Sequence, residues 1–401
     1  MQEPSNTKPE SDEPAERPEL IVSNLGDPIR LSDMNMAGIS AEAARGGETV
    51  EIWTRMSLTS DQELFQKIIG NIAAVIEHGA KAAGAYVSLD RAGTIFLVLR
   101  PDNTGELWID KAAMCAYSAL KRPGPLPAGT VLFENDIADL TGIWFPLVDV
   151  GPQDRILCIF REGWRFGLFF DFNPDGDLSI ENAKRDMGTL CRRMRYADLY
   201  AGLAHEPTFN GIVSAGWFPF LELMSGEFRT LLNMQEAGFP LDNAEQALLD
   251  SFDEARLERM FNRWMQRPHL KAKETILRPA INAFKARDAV SVIKNVLSEM
   301  EGVMSDAYFH VKGERTHRVN KLLEFTIALA EQRAGGKDTL FFPVEFGKYL
   351  KDYTYAGFNP GDMGRAGSRH AVSHGAVASD QYTITRALQA LLTLDQLAFY
   401  T

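Results

Sequence analysis

A chain of 401 residues exceeds what one hydrophobic core usually organises, so two domains are expected. Apolar content of 45% with 10% aromatics, including 24 Phe and 6 Trp, excludes a disordered or fibrous protein. A formal net charge of −12 excludes a general nucleic-acid coat protein, which needs surplus Lys and Arg against phosphate, yet leaves room for a small basic cleft.

Residues 1–19 hold four prolines and six acidic residues and no large apolar side chain after Met1, which predicts a disordered tail. The Gly- and Ala-rich stretch that follows predicts an extended arm, so 1–50 is read as a tail. Neither a signal-peptide hydrophobic region nor a membrane-length apolar run occurs. Three widely spaced cysteines, Cys115, Cys158 and Cys191, make neither a disulfide framework nor a zinc set. A cytoplasmic protein is expected.

Residues 51–205 carry α+β signals. Ser60-Asp61-Gln62-Glu63 has the pattern of a capping box, ahead of Leu64, Phe65, Ile68, Ile69, Ile72, Val75 and Ile76 at helical spacing over 58–78. Strands are predicted at Ala85–Leu89 and Thr94–Leu99, a helix at 109–121, and a Pro/Gly-rich link from Arg122 to Gly129. Further strands are predicted at Ile143–Val150, Arg155–Arg161 and Arg165–Phe172, joined by tight turns, and these favour an antiparallel meander covered by the first helix. A helix over 180–203 buries Ile180, Ala183, Met187, Leu190 and Met194. It turns Lys184, Arg185, Arg192, Arg193 and Arg195 to solvent or to the next domain.

Beyond His205 the strand signals vanish. Helical patterns run through 218–233, 243–266, 270–287, 289–305, 316–334, 342–355 and 380–400. The fold expected is therefore an α+β domain, a candidate sensor or regulatory unit, followed by an all-helical bundle over 206–401.

Chemistry concentrates in Arg369-His370-Ala371-Val372-Ser373-His374-Gly375. An imidazole moves protons near neutral pH, and a guanidinium pairs with phosphate and stays charged. Ser368 suits an N-cap and Gly375 a residue just past a short helix. On an ideal helix Arg369 and His374 point about 140° apart, at ~100° per residue, so both meet one phosphate only through an irregular turn or two copies.

With Gly216-Trp217-Phe218-Pro219 and Glu301-Gly302, this Arg-polar-xxx-His motif gives the helical half a resemblance to HEPN-like domains. The resemblance spans about half of the chain and implies a metal-independent endoribonuclease, acting as a homodimer in bacterial defence or as a toxin. Arg369 would clamp phosphate, His374 would transfer the proton and His370 would orient substrate. RNA would be the partner, its own 2′-hydroxyl the nucleophile, and no cofactor would be needed. The N-terminal domain would then answer to a trigger or a regulatory partner protein.

The bland alternative is a non-catalytic helical scaffold or regulator, with Arg369 paired to a carboxylate such as Glu301 or Asp306. His370 and His374 also stand at the spacing of a metal pair, but Ala371 replaces the Glu of a zinc hydrolase and no third ligand is apparent. The basic residues from Arg256 to Lys294, and Lys312, Arg315, His317 and Arg318, are either an RNA wall or solvated faces. Trp217, Trp264, Phe341 and Phe342 read as core, Asp171–Asp177 as a polar turn, and Gly163–Gly167 as a strand turn.

Overall fold

The computed structural model describes residues 26–122, 124–223, 226–359 and 363–401, so the acidic tail expected over 1–19 lies outside the described residues. Strands with one α-helix come first: β1 (Ile29–Leu31), β2 (Arg55–Thr59), α1 (Glu63–Ala82), β3 (Thr94–Leu99), β4 (Gly105–Ile109), β5 (Cys115–Leu120), β6 (Ile137–Trp144), β7 (Arg155–Glu162) and β8 (Arg165–Asp171). Six of these form one antiparallel sheet in the order β1-β4-β3-β7-β8-β2, while β5 and β6 pair as a separate ribbon. The extended arm thus supplies an edge strand, and its Leu31 and Met34 are buried against α1.

β3 shows why the run Ile95–Leu99 is apolar at every position. Ile95, Leu97 and Leu99 enter the core under α1, and Phe96 and Val98 enter a second core on the other face. A sheet covered on both faces loses the polar-out half of the usual alternation. The second face is covered by α2 (Ile180–Arg195), through Ala183, Met187, Leu190 and Met194. Helix and ribbon touch backbone to backbone, since a Cβ at Gly188 would stand 2.4 Å from the Cα of Gly142.

Helices alone follow: α3 (Ala197–Ala204), α4 (Glu206–Ser214), α5 (Glu227–Glu236), α6 (Asp242–Ser251), α7 (Glu254–Trp264), α8 (Pro268–Lys271), α9 (Glu274–Lys285), α10 (Ala289–Lys312), α11 (Val319–Ala334), α12 (Pro343–Tyr349), α13 (Arg369–Ser373) and α14 (Ile384–Tyr400). The architecture is α+β and then all-α, as the sequence patterns predict. Side chains change allegiance from the sheet core at Met194 to the helical core at Leu199, a little ahead of residue 205.

α14 is the axis of this second core, with every residue from Ala387 to Tyr400 buried. Its buried polar groups are all engaged. Gln389 donates to the Ala215 carbonyl (3.0 Å), Gln396 accepts from the Leu221 amide (2.9 Å), and Thr393 donates to the Gln389 carbonyl (2.7 Å). Asp395 receives Arg263 and the Trp264 indole N–H. Trp217, Trp264, Phe341 and Phe342 are core residues.

Several local predictions are corrected. Residues 109–121 are not a helix: Asp110 turns the chain at φ 55, and β5 then pairs with β6, because a cross-strand partner outweighs local pattern. Ala85–Leu89 forms no strand, and Tyr86 there is exposed. The strand predicted at Ile143–Val150 is β6, which ends before Pro146, a residue without a ladder N–H. Ser60 does not cap α1; its hydroxyl accepts from the Phe166 amide, and the Gln62 side chain accepts from the Thr59 amide. Tyr196 divides the helix predicted over 180–203, and Asp253 caps a fresh start inside the one predicted over 243–266.

Candidate functional site

α13 places the Arg/His motif. The Ser368 hydroxyl accepts from the Ala371 amide and donates to the Ala356 carbonyl, fixing the start of the helix, and Gly375 leaves it at φ 67. Only a glycine takes that turn without strain. Ala371 and Val372 face the core, which leaves Arg369 and His370 half-buried and His374 exposed.

The Arg369 guanidinium donates from Nη2 to Glu301 Oε2 on α10 at 3.0 Å, with the two side chains 26% and 25% exposed. Asp306, the other carboxylate considered, pairs instead with Lys273 and Arg315. Three polar atoms around the Arg369–Glu301 pair are buried without a hydrogen-bond partner among the described residues: Arg369 Nε, Glu301 Oε1 and the Tyr355 hydroxyl. Burial pushes the Tyr355 phenol far above its ordinary range, Glu301 adds to the shift and Arg369 opposes it. Tyr355 is therefore a neutral donor beside a carboxylate.

The two imidazoles have different neighbours. His370 lies edge-on to the Tyr355 ring with centroids 6.2 Å apart, whereas His374 leans on Phe358 at 5.7 Å. Arg369 turns to α10 and His374 to the segment after α12. The motif thus gathers Arg369, His370, Glu301 and Tyr355 on one side, and His374 with Phe358 on another. Among the described residues no three His, Cys, Asp or Glu side chains come together as a metal site.

Half of the ten Lys and Arg residues from Arg256 to Lys294 are ion-paired. Arg256 pairs with Glu222 and Glu227, Arg263 with Glu222 and Asp395, Lys273 with Glu299, Arg278 with Glu258, and Lys285 with Glu254 and Glu258. These five charges tie neighbouring segments of the bundle together. Arg55 holds the Asp171–Asp177 turn through Asp171 and Asp175.

Sequence reasoning missed a second concentration of charge, at the junction of sheet and bundle. Arg192, expected at solvent or the next domain, is buried there. It donates to Leu140 carbonyl at 2.6 Å and reaches Asp139 and Asp338, which also accepts from Tyr200 at 2.8 Å. In a separate cluster, Glu222 and Asp395 converge on Arg263, each within 2.9 Å. Burial alone would raise the Glu222 carboxyl, but Arg263, Arg256 and Lys121 together hold it below its ordinary value. Lys121 signals nothing in sequence, standing at the end of β5 before a Pro/Gly-rich link, because its burial depends on α7 packing over it.

No protein-family model, curated protein or solved structure matches the chain. No helix among the described residues is long and apolar enough to cross a membrane.

Proposed function

We propose that the helical half is a metal-independent endoribonuclease of HEPN type, cytoplasmic and dimeric, with Arg369, His374 and His370 at its site. The observation that carries this reading is the under-satisfied polar cluster at the motif. A charged pair in which Arg369 Nε and Glu301 Oε1, like the Tyr355 hydroxyl beside them, are buried without partners among the described residues is poor packing but a suitable place for a polar substrate, since cost of this kind gathers at working sites. Exposed His374 supplies the proton carrier.

In this reading Glu301 occupies Arg369 at rest and yields it to a scissile phosphate. The RNA 2′-oxygen attacks phosphorus and His374 takes the 2′-hydroxyl proton; the bond to the 5′-oxygen breaks, that oxygen takes up a proton from water, and the Arg369 fork neutralises the phosphate. Because Arg369 and His374 turn to different neighbours, one copy supplies the guanidinium and a second the imidazole, which calls for a homodimer. A defence or toxin role, released by a trigger or regulatory partner acting on the N-terminal domain, rests on the HEPN resemblance alone.

Arg369→Ala and His374→Ala are each expected to lower RNA cleavage about 10²–10⁴-fold, the worth of a positioned proton transfer. His370→Ala costs less. Cleavage persists in EDTA, spares DNA and leaves a 2′,3′-cyclic phosphate. Full activity in His374→Ala, or loss in EDTA with recovery on zinc, overturns the mechanism.

The Arg369–Glu301 bond itself favours a second reading, in which α13 is stapled to α10 in a non-catalytic scaffold or regulator. Light scattering and thermal melts separate the two. If no RNA is cleaved and Arg369→Ala only loosens the fold or its self-association, the scaffold stands.

A further inference from the structure

A cavity of about 690 Å³ lies where the loop between β5 and β6 meets α7, so both halves of the molecule line it. That volume lies in the range of pockets for small organic ligands, roughly 300–1,000 Å³.

Two of its acids are ion-paired and two hold backbone amides. Glu222 and Glu227 bind Arg256, Asp253 accepts from the Arg256 amide at the start of α7, and Asp136 accepts from the Phe133 amide. Of its five cations, Arg256 and Arg263 are ion-paired as well, and the other three are not. Lys121 is 7% exposed, yet its ammonium has no hydrogen bond or ion pair among the described residues, and Arg122 and Arg259 at the rim have none either. Burying an ammonium without a partner is costly, and burial accordingly pushes Lys121 below the ordinary lysine value, against the pull of Glu222. Three uncommitted cations converge on one pocket in a protein of net charge −12.

Phe133 adds a second preference. It lines the same cavity with 69% of its surface exposed, an aromatic face held open to solvent beside the cations. Purine and pyrimidine rings stack on such a face, and phosphates answer the cations.

We propose that this pocket binds a nucleotide, its phosphates at Lys121, Arg122 and Arg259 and its base on Phe133. The ligand bridges the sheet-bearing and helical halves. The proposal needs no ribonuclease activity and concerns residues apart from Arg369 and His374.

Calorimetry on the full chain with ATP, adenosine and inorganic pyrophosphate, without divalent metal, tests it. ATP is expected to bind and adenosine to fail. Lys121→Met is expected to weaken ATP about tenfold or more, and Phe133→Ala to weaken ATP, by about tenfold for one lost stack, while leaving pyrophosphate unchanged. Arg369→Ala should bind ATP as the wild type does, separating this pocket from the motif on α13. Should Lys121→Met fail to fold, Arg259→Ala at the exposed rim carries the same comparison. Absence of ATP binding, adenosine binding as tightly as ATP, or wild-type affinity in both the Lys121 and Arg259 variants overturns the proposal. So does pyrophosphate binding as tightly as ATP.

Discussion

Single residues here are defined by whom they pair with. If Glu301 holds Arg369 at rest, neutralising the carboxylate should free the guanidinium. Glu301→Gln is expected to raise RNA cleavage severalfold over wild type, with the fold retained, in a single-turnover assay; reduced cleavage would make Glu301 part of the chemistry. Arg369→Ala should cost about 1–3 kcal/mol of stability, the worth of a charge-assisted hydrogen bond, measured by denaturant unfolding. His269 tests acid sensitivity. Burial first, with Arg267 adding, lowers its imidazole from 6.5 to about 4, and its Nε2 lies 3.0 Å from the Thr401 hydroxyl. A lowered folded value means that the unfolded chain binds the proton first on acidification. Stability from neutral His269 is therefore whole above pH 6.5 and drains away as pH falls toward 4. His269→Gln should flatten the unfolding midpoint across that window.

At the scale of elements, α13 was legible from five letters. Ser368 and Gly375 bracket it in sequence as they do in space, because capping and a left-handed exit are local requirements. The partner of Arg369 was legible only as one of two carboxylates, since choosing Glu301 over Asp306 takes the packing of α10 against α13. β5 was misread because its partner β6 lies across the long link from Arg122, out of reach of any local pattern. The near-contact of α2 and β6 at Gly188 and Gly142 makes a sharp prediction. Gly188→Ala places a methyl into backbone that cannot give way, and should cost about 1–3 kcal/mol or more, as overpacking does. Gly70→Ala, where a Cβ meets nothing within 4 Å, is the control expected to be neutral or stabilising.

Across the whole molecule, the division into sheet and bundle was plain from the switch in periodicity, but the bond between them was not. Arg192, Asp139, Asp338 and Tyr200 form a buried polar seam, and Asp139 is fully covered. Sequence shows charges and cannot show which of them will be shut away from water together. Cutting the seam with Asp139→Ala takes one of two carboxylates from a buried guanidinium and leaves the Thr339 hydroxyl without its acceptor, which should cost about 3 kcal/mol. It should also split one cooperative melt into two, read separately from sheet and helix signals in circular dichroism. Two transitions already present in the wild type would show that the seam does not couple the halves. The central place of α14 bears on biosynthesis. α6, α7, α9, α10 and α11 all pack on α14, which the ribosome makes later than any of them, so these helices emerge with their apolar faces uncovered and wait. The sheet, whose two cores close by Met194, is free to fold during that wait, making the early half of the chain the template on which the later half assembles.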